Sequence, residues 1–371
     1  MKIGIVVPFS WSYWGGVVEH SENQAAALRA RGHEVKILMG HDPPGAMTRF
    51  LHPRSGRHGQ LPPDVIPVGR SVVVPANGSL PNIVLSPRSI GRIREALRVH
   101  EFDIVHLHEP FTPTICVATL AFAECPAVAT WHAAGDLAWM RAGLAMWGFL
   151  MDRLETRIAV SRLAAESAER WVGAGFEIVP NGVVLPAHAD PEGREHHVVF
   201  IGRHDARKGL PVLLRAWPEI RRRSGARLRL IGTDPLQYRL LHTRMHFDED
   251  GIDVLGIVPN EDRSRELASA KVFVSPALGG ESFGIVLLEA FATATPVVAS
   301  DIPGFADVAT PEAATLVPPA DESALADAVC ALLADEDRRT AMGRAARDVA
   351  ERYSWHGIAA RLETIYERAV A

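Results

Sequence analysis

The sequence lacks most of the features that would classify it at a glance. Only three cysteines, Cys116, Cys125 and Cys330, stand in 371 residues. The number is odd and no two form a CxxC pair, which argues against a disulfide framework or a cysteine zinc site and fits a reducing compartment. Charge of one sign is missing too. With 39 basic and 44 acidic side chains the formal charge is −5, so no global field draws the chain to nucleic acid and any basic site has to be local. No apolar run is long and clean enough to span a bilayer; the nearest, 112–131, is interrupted by Pro113, Glu124 and Pro126. Residues 1–8 carry one charge and a short apolar run without a small-residue cleavage site. They read as a buried first strand rather than a signal peptide. No GxGxxG fingerprint follows that strand, so no nicotinamide cofactor is inferred. No repeat of solenoid period is present.

What remains is ordinary globular material, 47% hydrophobic and 22% charged. Its length exceeds that at which one core usually stops growing, so two domains are expected. Residues 3–7 are a continuous apolar run, as a strand buried on both faces would be. Gly15-Gly16 follow in a turn, 17–31 read as a helix stopped by Gly32, and 33–39 as a second strand. Strand, glycine turn, helix, strand is the opening of a parallel α/β sheet. The pattern returns at 103–108, 127–131 and 156–161. Residues 41–70, rich in Pro, Gly, His and Arg, read as a long mobile loop, and 180–196 as a linker. Beyond it, strands are expected at 198–201, 227–231, 254–258, 272–276 and 296–299. Helices are expected at 210–223, 284–293, 322–350 and 354–371. The expected class is α/β, with two Rossmann-like domains, 1–180 and 181–353, facing across a cleft and ligands at the carboxyl ends of the strands.

Those strand ends carry the chemistry. Residues 198–201 run into Gly202-Arg203-His204-Asp205-Ala206-Arg207-Lys208-Gly209, which brings Arg203 and Lys208 to one sheet edge. A diphosphate leaving group develops negative charge, which a planar guanidinium and a mobile ammonium can meet; a solvated basic loop is the plain alternative. Leu278-Gly279-Gly280-Glu281-Ser282-Phe283-Gly284-Ile285 follows a strand and opens a helix. Backbone N–H groups there can approach phosphate closely, and the helix dipole favours the anion. Glu281 and Glu289 would stand about 12 Å apart along a helix, enough to reach different parts of one nucleotide sugar. Glu289 interrupts an apolar stretch, where a carboxylate needs partners. In the first half, Gly15 and Gly16 mark the first strand–helix turn. His132 ends strand 127–131, placed to hydrogen-bond a sugar hydroxyl or orient an acceptor, although a lone histidine is more often structural. His106 and His108 share a strand face beside Glu109, but with no third ligand in view no metal site is inferred. Residues 137–154 are crowded with Trp139, Met140, Trp147, Phe149, Leu150 and Met151. A buried helix is the favoured reading, and a lipid- or acceptor-facing surface the alternative.

Gly15-Gly16, Ala129-Thr130-Trp131-His132, Ile158-Ala159-Val160-Ser161, Val179-Pro180-Asn181-Gly182-Val183, Gly202-Arg203 with Arg207-Lys208-Gly209, and Glu281 with Glu289 occur in the order of one family. Together they resemble the family 4 glycosyltransferases of the GT-B fold, over nearly the whole chain. The resemblance implies retaining hexosyl transfer from a nucleotide diphosphate sugar, with no tightly bound cofactor and no required metal. It implies that Arg203 and Lys208 stabilise the diphosphate, that Glu281 lies beside the donor sugar, Glu289 at the ribose and His132 near the reacting sugar. Gly15, Gly16, Gly280, Phe283, Gly284 and Ile285 fall at the donor-binding turns, with Val258 and Asn260 in the base-recognition loop 256–260. Helix 354–371 would cross back onto the first domain. Residues 278–287 and Pro75-Ala76-Asn77-Gly78-Ser79 are similar to the phosphatidylinositol mannosyltransferase branch. That likeness implies GDP-mannose as donor and an inositol-phospholipid-like acceptor, with Asn77 and Ser79 near its head group. It also implies a cytoplasmic enzyme, peripheral on the inner membrane face, with no nucleic-acid partner.

The chain departs from that branch in places. Pro81-Asn82 stand where a basic residue usually follows the Asn-Gly-Ser turn. The branch's lysine-rich helix here carries Arg88, Arg92, Arg94 and Arg98, with Glu95 among them. Arg88, Arg92 and Arg98 fall within an arc of roughly 60°, either a stripe for anionic lipid or a solvated face. An acidic residue in the base loop would pair with guanine, but Asn260 offers one carbonyl and no charge. A UDP-sugar donor with a soluble or different lipid acceptor therefore stays open. A third class is a non-catalytic nucleotide-sugar binding protein or a pyridoxal-phosphate phosphorylase. Arg203, Lys208 and Glu281 count against the sensor, and only Lys208 and Lys271 follow the linker as cofactor lysines. The usual small-Gly-x-Pro turn reads Ala294-Thr295-Pro296.

Overall fold

Apolar runs without alternation form strands covered on both faces, and both sheets of the protein are built from them. The computed structural model describes residues 1–52, 60–74, 81–133, 148–187, 189–190, 192–203 and 205–371. They divide into two units, Met1–Gly182 with Trp355–Ala371, and Val183–Ser354.

The first unit contains β1 (Lys2–Ser10), β2 (Glu34–Gly40), β3 (Val65–Gly69), β4 (Val72–Val73), β5 (Asn82–Ile83), β6 (Ile104–His108), β7 (Ala127–Trp131), β8 (Leu154–Ala159) and β9 (Phe176–Ile178). The order β3-β2-β1-β6-β7-β8-β9 is parallel throughout. The short antiparallel pair β4–β5 hangs on β1 through Phe9 and Ile83. Its helices are α1 (Gly16–Ala30), α2 (Ala46–Leu51), α3 (Arg88–His100), α4 (Ile115–Phe122) and α5 (Arg162–Val172). The second unit repeats the plan with β10 (Glu195–Ile201), β11 (Arg227–Ile231), β12 (Ile252–Gly256), β13 (Ala270–Ser275), β14 (Val297–Ser300) and β15 (Ala314–Val317), in the order β12-β11-β10-β13-β14-β15. Its helices are α6 (Leu210–Ser224), α7 (Pro235–Met245), α8 (Asn260–Ser269), α9 (Ile285–Ala292), α10 (Glu322–Ala334) and α11 (Glu336–Glu351). In each sheet the winding reverses once, between β1 and β6 and between β10 and β13. Loops leave such a reversal on opposite sides, and a crevice opens at the carboxyl ends of the two strands.

The final helix, α12 (Trp355–Val370), belongs to the first unit. Trp355, Ile358, Ala359, Leu362, Ile365 and Tyr366 are buried at helical spacing and join the core of Ile3, Ile5, Val18 and Leu28. Each large side chain so buried stabilises by about 1.5–3 kcal/mol. Glu363, on the outer edge of that face, accepts from Arg31 Nε at 2.9 Å and meets His33 Nε2 at 2.8 Å.

Several expectations need correction. Residues 41–70 are not one loop: they hold α2 and the edge strand β3, which pairs Val65 with Ile37. Pro67 disguised that strand, since proline is tolerated at a sheet edge and reads as a breaker. The helix expected over 322–350 is two helices, broken at Asp335. The Asp335 carboxylate accepts the Arg338 N–H at 2.9 Å and starts α11. The buried Arg339 guanidinium returns to the Leu332 and Leu333 carbonyls at 2.6 and 2.7 Å and closes α10. The helix expected over 137–154 lies largely outside the described residues; within them, Gly148–Arg153 is 3-10, with Leu150 and Met151 buried and Phe149 exposed. Asn77 and Ser79 also lie outside them. Among the described residues no helix is long and apolar enough to cross a membrane.

Candidate active site

At the second unit's reversal, β10 ends in the turn carrying Arg203 and Lys208, and β13 ends in the turn leading to α9. The two turns are pressed together. Gly209 has φ +69, and a Cβ there would lie 1.7 Å from the Pro276 carbonyl oxygen, so only glycine fits. The Leu278 N–H donates to the Arg207 carbonyl at 2.7 Å. The Arg207 guanidinium is held by Asp205 at 2.6 Å and reaches the Gly280 carbonyl at 3.3 Å. Lys208 Nζ stands 2.7 Å from Glu281 Oε1, both side chains mostly covered. The structure thus brings three of the expected residues, Lys208, Glu281 and Gly280, into one cluster, with Arg203 exposed at the exit of β10. Gly280 and Gly284 have φ +70 and +88, and no side chain caps α9. Its first-turn N–H groups are therefore available to an anion.

Glu281 lies before α9, not on it, so the helical spacing expected between Glu281 and Glu289 does not apply. Glu289 is half-buried on α9, where Arg263 of α8 answers it at 2.9 Å. Asn260 opens α8 and is exposed, and Val258 sits just before it, so the base loop and Arg263 share one short segment. The ring of Phe283 is buried edge-on against Tyr353, 5.7 Å between centroids. Its ring serves packing, which leaves only its backbone for the donor turn.

The first unit's reversal is built differently. Gly15 and Gly16 start α1, and a Cβ on either would meet no atom within 4 Å, so the turn has open space beside it. His20 of α1, His106 and His108 of β6, and His132 after β7 converge there, all buried. His108 Nδ1 and His132 Nε2 are 2.8 Å apart. His106 stacks on His108 and is fixed from behind: Nε2 meets Thr130 Oγ1 at 2.7 Å, and Nδ1 meets Tyr366 Oη at 2.6 Å and Gln24 Nε2 at 3.0 Å. Glu109, at φ +51, turns its buried carboxylate onto the N–H groups of His132 and Ala133, both at 2.9 Å. Burial disfavours charge on all four imidazoles. It lowers His20 to about 4 and, with the neighbouring His20, His106 to about 3; it also carries His108 and His132 well below the usual range. Burial pushes Glu109 up, against the pull of its two backbone bonds.

The sequence presents His132 as a lone histidine and offers no third ligand beside His106 and His108; the structure sets His20 and His108 beside His132. One ring nitrogen each from His20, His108 and His132 lie within 4.8 Å of one another, a spacing that a metal ion can use, and Glu109 is not among them. The missed signal was the helical offset of His20, four residues beyond Gly16. Arg263 was missed because nothing in one sequence links it to Glu289.

A family model described as Glycosyltransferase Family 4 matches residues 14–186, and one described as Glycosyl transferases group 1 matches residues 195–335. The chain is 34% identical over 380 residues to the phosphatidyl-myo-inositol mannosyltransferase of Mycobacterium leprae, covering 99% of this chain and 96% of that protein. It is 33% identical to the phosphatidyl-myo-inositol mannosyltransferase of Mycolicibacterium smegmatis, over 99% of this chain and 94% of that one. Among solved structures, Anabaena HepE in complex with UDP and glucose matches with a TM-score of 0.74 at 18% identity, covering 99% of both chains.

Proposed function

Because this chain belongs to glycosyltransferase family 4 and has the GT-B fold, we propose that it transfers mannose from GDP-mannose, with retention of configuration, to an inositol-phospholipid acceptor. The observation that carries this reading is the 33–34% sequence identity, over 99% of this chain, to mannosyltransferases of that description. The site geometry supports it. As the bond from the anomeric carbon to the phosphate oxygen breaks, its electron pair leaves with the nucleoside diphosphate. Arg203, Lys208 and the open end of α9 meet that charge. The ion pair with Glu281 holds Lys208 ready, and Glu281 also offers a carboxylate to the donor sugar. The acceptor hydroxyl oxygen forms the new bond and passes its proton to the departing diphosphate. Glu289, steadied by Arg263, takes the ribose; Val258 and Asn260 lie against the base. Gly15 and Gly16 leave room beside their turn for the donor, and Asn77 and Ser79 take the acceptor head group. The nucleotide sugar is a substrate, and the reading calls for no resident cofactor.

The exposed face of α3 supports a peripheral place at an anionic membrane. Ser89, Ile93 and Ala96 face inward, while Arg88, Arg92, Arg94 and Arg98 are exposed. Arg94 lies 4.7 Å over the Phe122 ring, which with Ile90 and Val99 adds exposed apolar surface. A second reading, a UDP-sugar donor, is favoured by one observation: Asn260 brings no carboxylate to the base loop. Incubation with radiolabelled GDP-mannose or UDP-glucose and phosphatidylinositol vesicles separates the two. Label entering lipid from GDP-mannose alone is expected; label from UDP-glucose alone overturns the donor assignment.

A further inference from the structure

The histidine cluster of the first unit raises a question that the transfer chemistry does not answer: which nitrogen of His132 carries its proton. His108 is fully buried and His132 nearly so, and burial keeps both neutral near pH 7. Two neutral imidazoles 2.8 Å apart share one proton, so one ring must donate and the other accept.

The surroundings decide the direction. His108 Nε2 is buried and meets no hydrogen-bond partner. If His132 donated from Nε2, the proton of His108 would have to sit on that Nε2, as a buried N–H with nothing to receive it, and such groups are rare. If His108 donates from Nδ1, its only proton is used and only a lone pair is left unmet. His106 cannot relieve His108 Nε2. Its Nδ1 receives from the Gln24 amide and the Tyr366 hydroxyl, so its proton lies on Nε2 and goes to Thr130 Oγ1. Glu109 completes the grip by accepting the peptide N–H of His132.

We infer that His108 is a positioning residue, which donates from Nδ1 to His132 Nε2 and so fixes His132 as a neutral ring with its own proton on Nδ1. His132 then works as a hydrogen-bond donor toward a sugar or acceptor oxygen, not as a base with a lone pair at that atom. The consequence for turnover rests on the proposed transferase reading; the tautomer does not.

Long-range proton–nitrogen NMR on protein labelled with nitrogen-15 in histidine reads both ring nitrogens, with His132 assigned by the loss of its signals in His132→Gln. The expected result is a protonated Nδ1 and a bare Nε2 on His132 between pH 6 and 8. In His108→Leu, His132 moves to the Nε2–H form, and kcat falls by about 10- to 100-fold with KM little changed. In His108→Asn, whose amide N–H stands near the place of Nδ1–H, the original tautomer and most of the turnover return. A bare Nδ1 on His132 in the wild type overturns the inference, as does a tautomer indifferent to His108→Leu in a folded protein. Stoichiometric zinc uptake that shifts His20, His108 and His132 together also overturns it, because those nitrogens then serve a metal. Absence of transfer from any nucleotide sugar by the wild type would remove the functional reading while leaving the NMR result to stand or fall alone.

Discussion

The two units share one sheet plan and one place for a site, yet they furnish it with opposite chemistry. At the reversal of the second unit stand charged groups, half-covered and answered by other charges: Lys208 by Glu281, Arg207 by Asp205, Glu289 by Arg263. At the reversal of the first stand neutral rings, fully buried and answered by other rings, a hydroxyl and an amide. On the proposed reading the second unit meets a departing diphosphate, which needs charge held in reserve, and ion pairs at a partly wet surface hold it without a large desolvation cost. On the same reading the first unit aligns hydroxyl groups, which needs direction rather than charge, and buried neutral imidazoles supply it.

The largest effect expected from breaking this contrast is on the charged side. Lys208→Ala or Glu281→Ala lowers kcat by about 100- to 1,000-fold, with the far-UV circular dichroism of the wild type retained. Near wild-type turnover in either variant would remove the role assigned here.

The neutral side predicts a pH effect of definite sign. His20 and His106 have folded pKa values lowered to about 4 and about 3 from 6.5. The native state therefore binds fewer protons than the unfolded chain below pH 6.5, and stability falls as pH falls through that window. It is fully present above about 6.5, and each such histidine contributes a slope of about 1.4 kcal/mol per pH unit. Among the described residues the second unit has a single buried histidine shifted this way, His197, lowered chiefly by burial and by Arg229. Between pH 7 and 5, hydrogen exchange corrected for intrinsic rate is expected to loosen β6 and β7 before β10 and β13. Loosening of the second sheet first would contradict the assignment.

The smallest effect lies at the turn after α9. Ala294 is held at φ +54, where a Cβ costs about 1 kcal/mol, while its carbonyl accepts from Arg194 at 2.9 Å. Ala294→Gly relieves that strain against the extra chain entropy of glycine, and a gain of about 0.5 kcal/mol is expected in denaturant titration. A loss would show that the turn is unstrained.

The second unit's site was legible in the sequence because it is made of short contiguous segments. A strand that ends in Gly202-Arg203 and closes on Lys208-Gly209, and a glycine turn that opens a helix, announce themselves residue by residue. The first unit's site was not. His20, His108 and His132 come from three elements, and each alone is an ordinary buried histidine. The parallel pairing of β6 with β7, which sets His108 beside Thr130, brings His108 to His132, and the packing of α1 brings His20 to both. The same holds for Arg263 and Glu289, neighbours in space and 26 residues apart in the chain. The edge strand β3 and the break at Asp335 were hidden for local reasons, a proline inside one and good helix formers on both sides of the other.

The donor is the most direct test of the proposed function, because the mannose, the inositol-lipid acceptor and the role of Asn260 all hang on it. Calorimetric titration of the purified protein with GDP, UDP and ADP is the measurement. The expected result is GDP binding at least about tenfold tighter than UDP or ADP, a difference of about 1.4 kcal/mol. Tighter binding of UDP would contradict the mannose donor and, with it, the inositol-lipid acceptor, and would assign Asn260 to uracil.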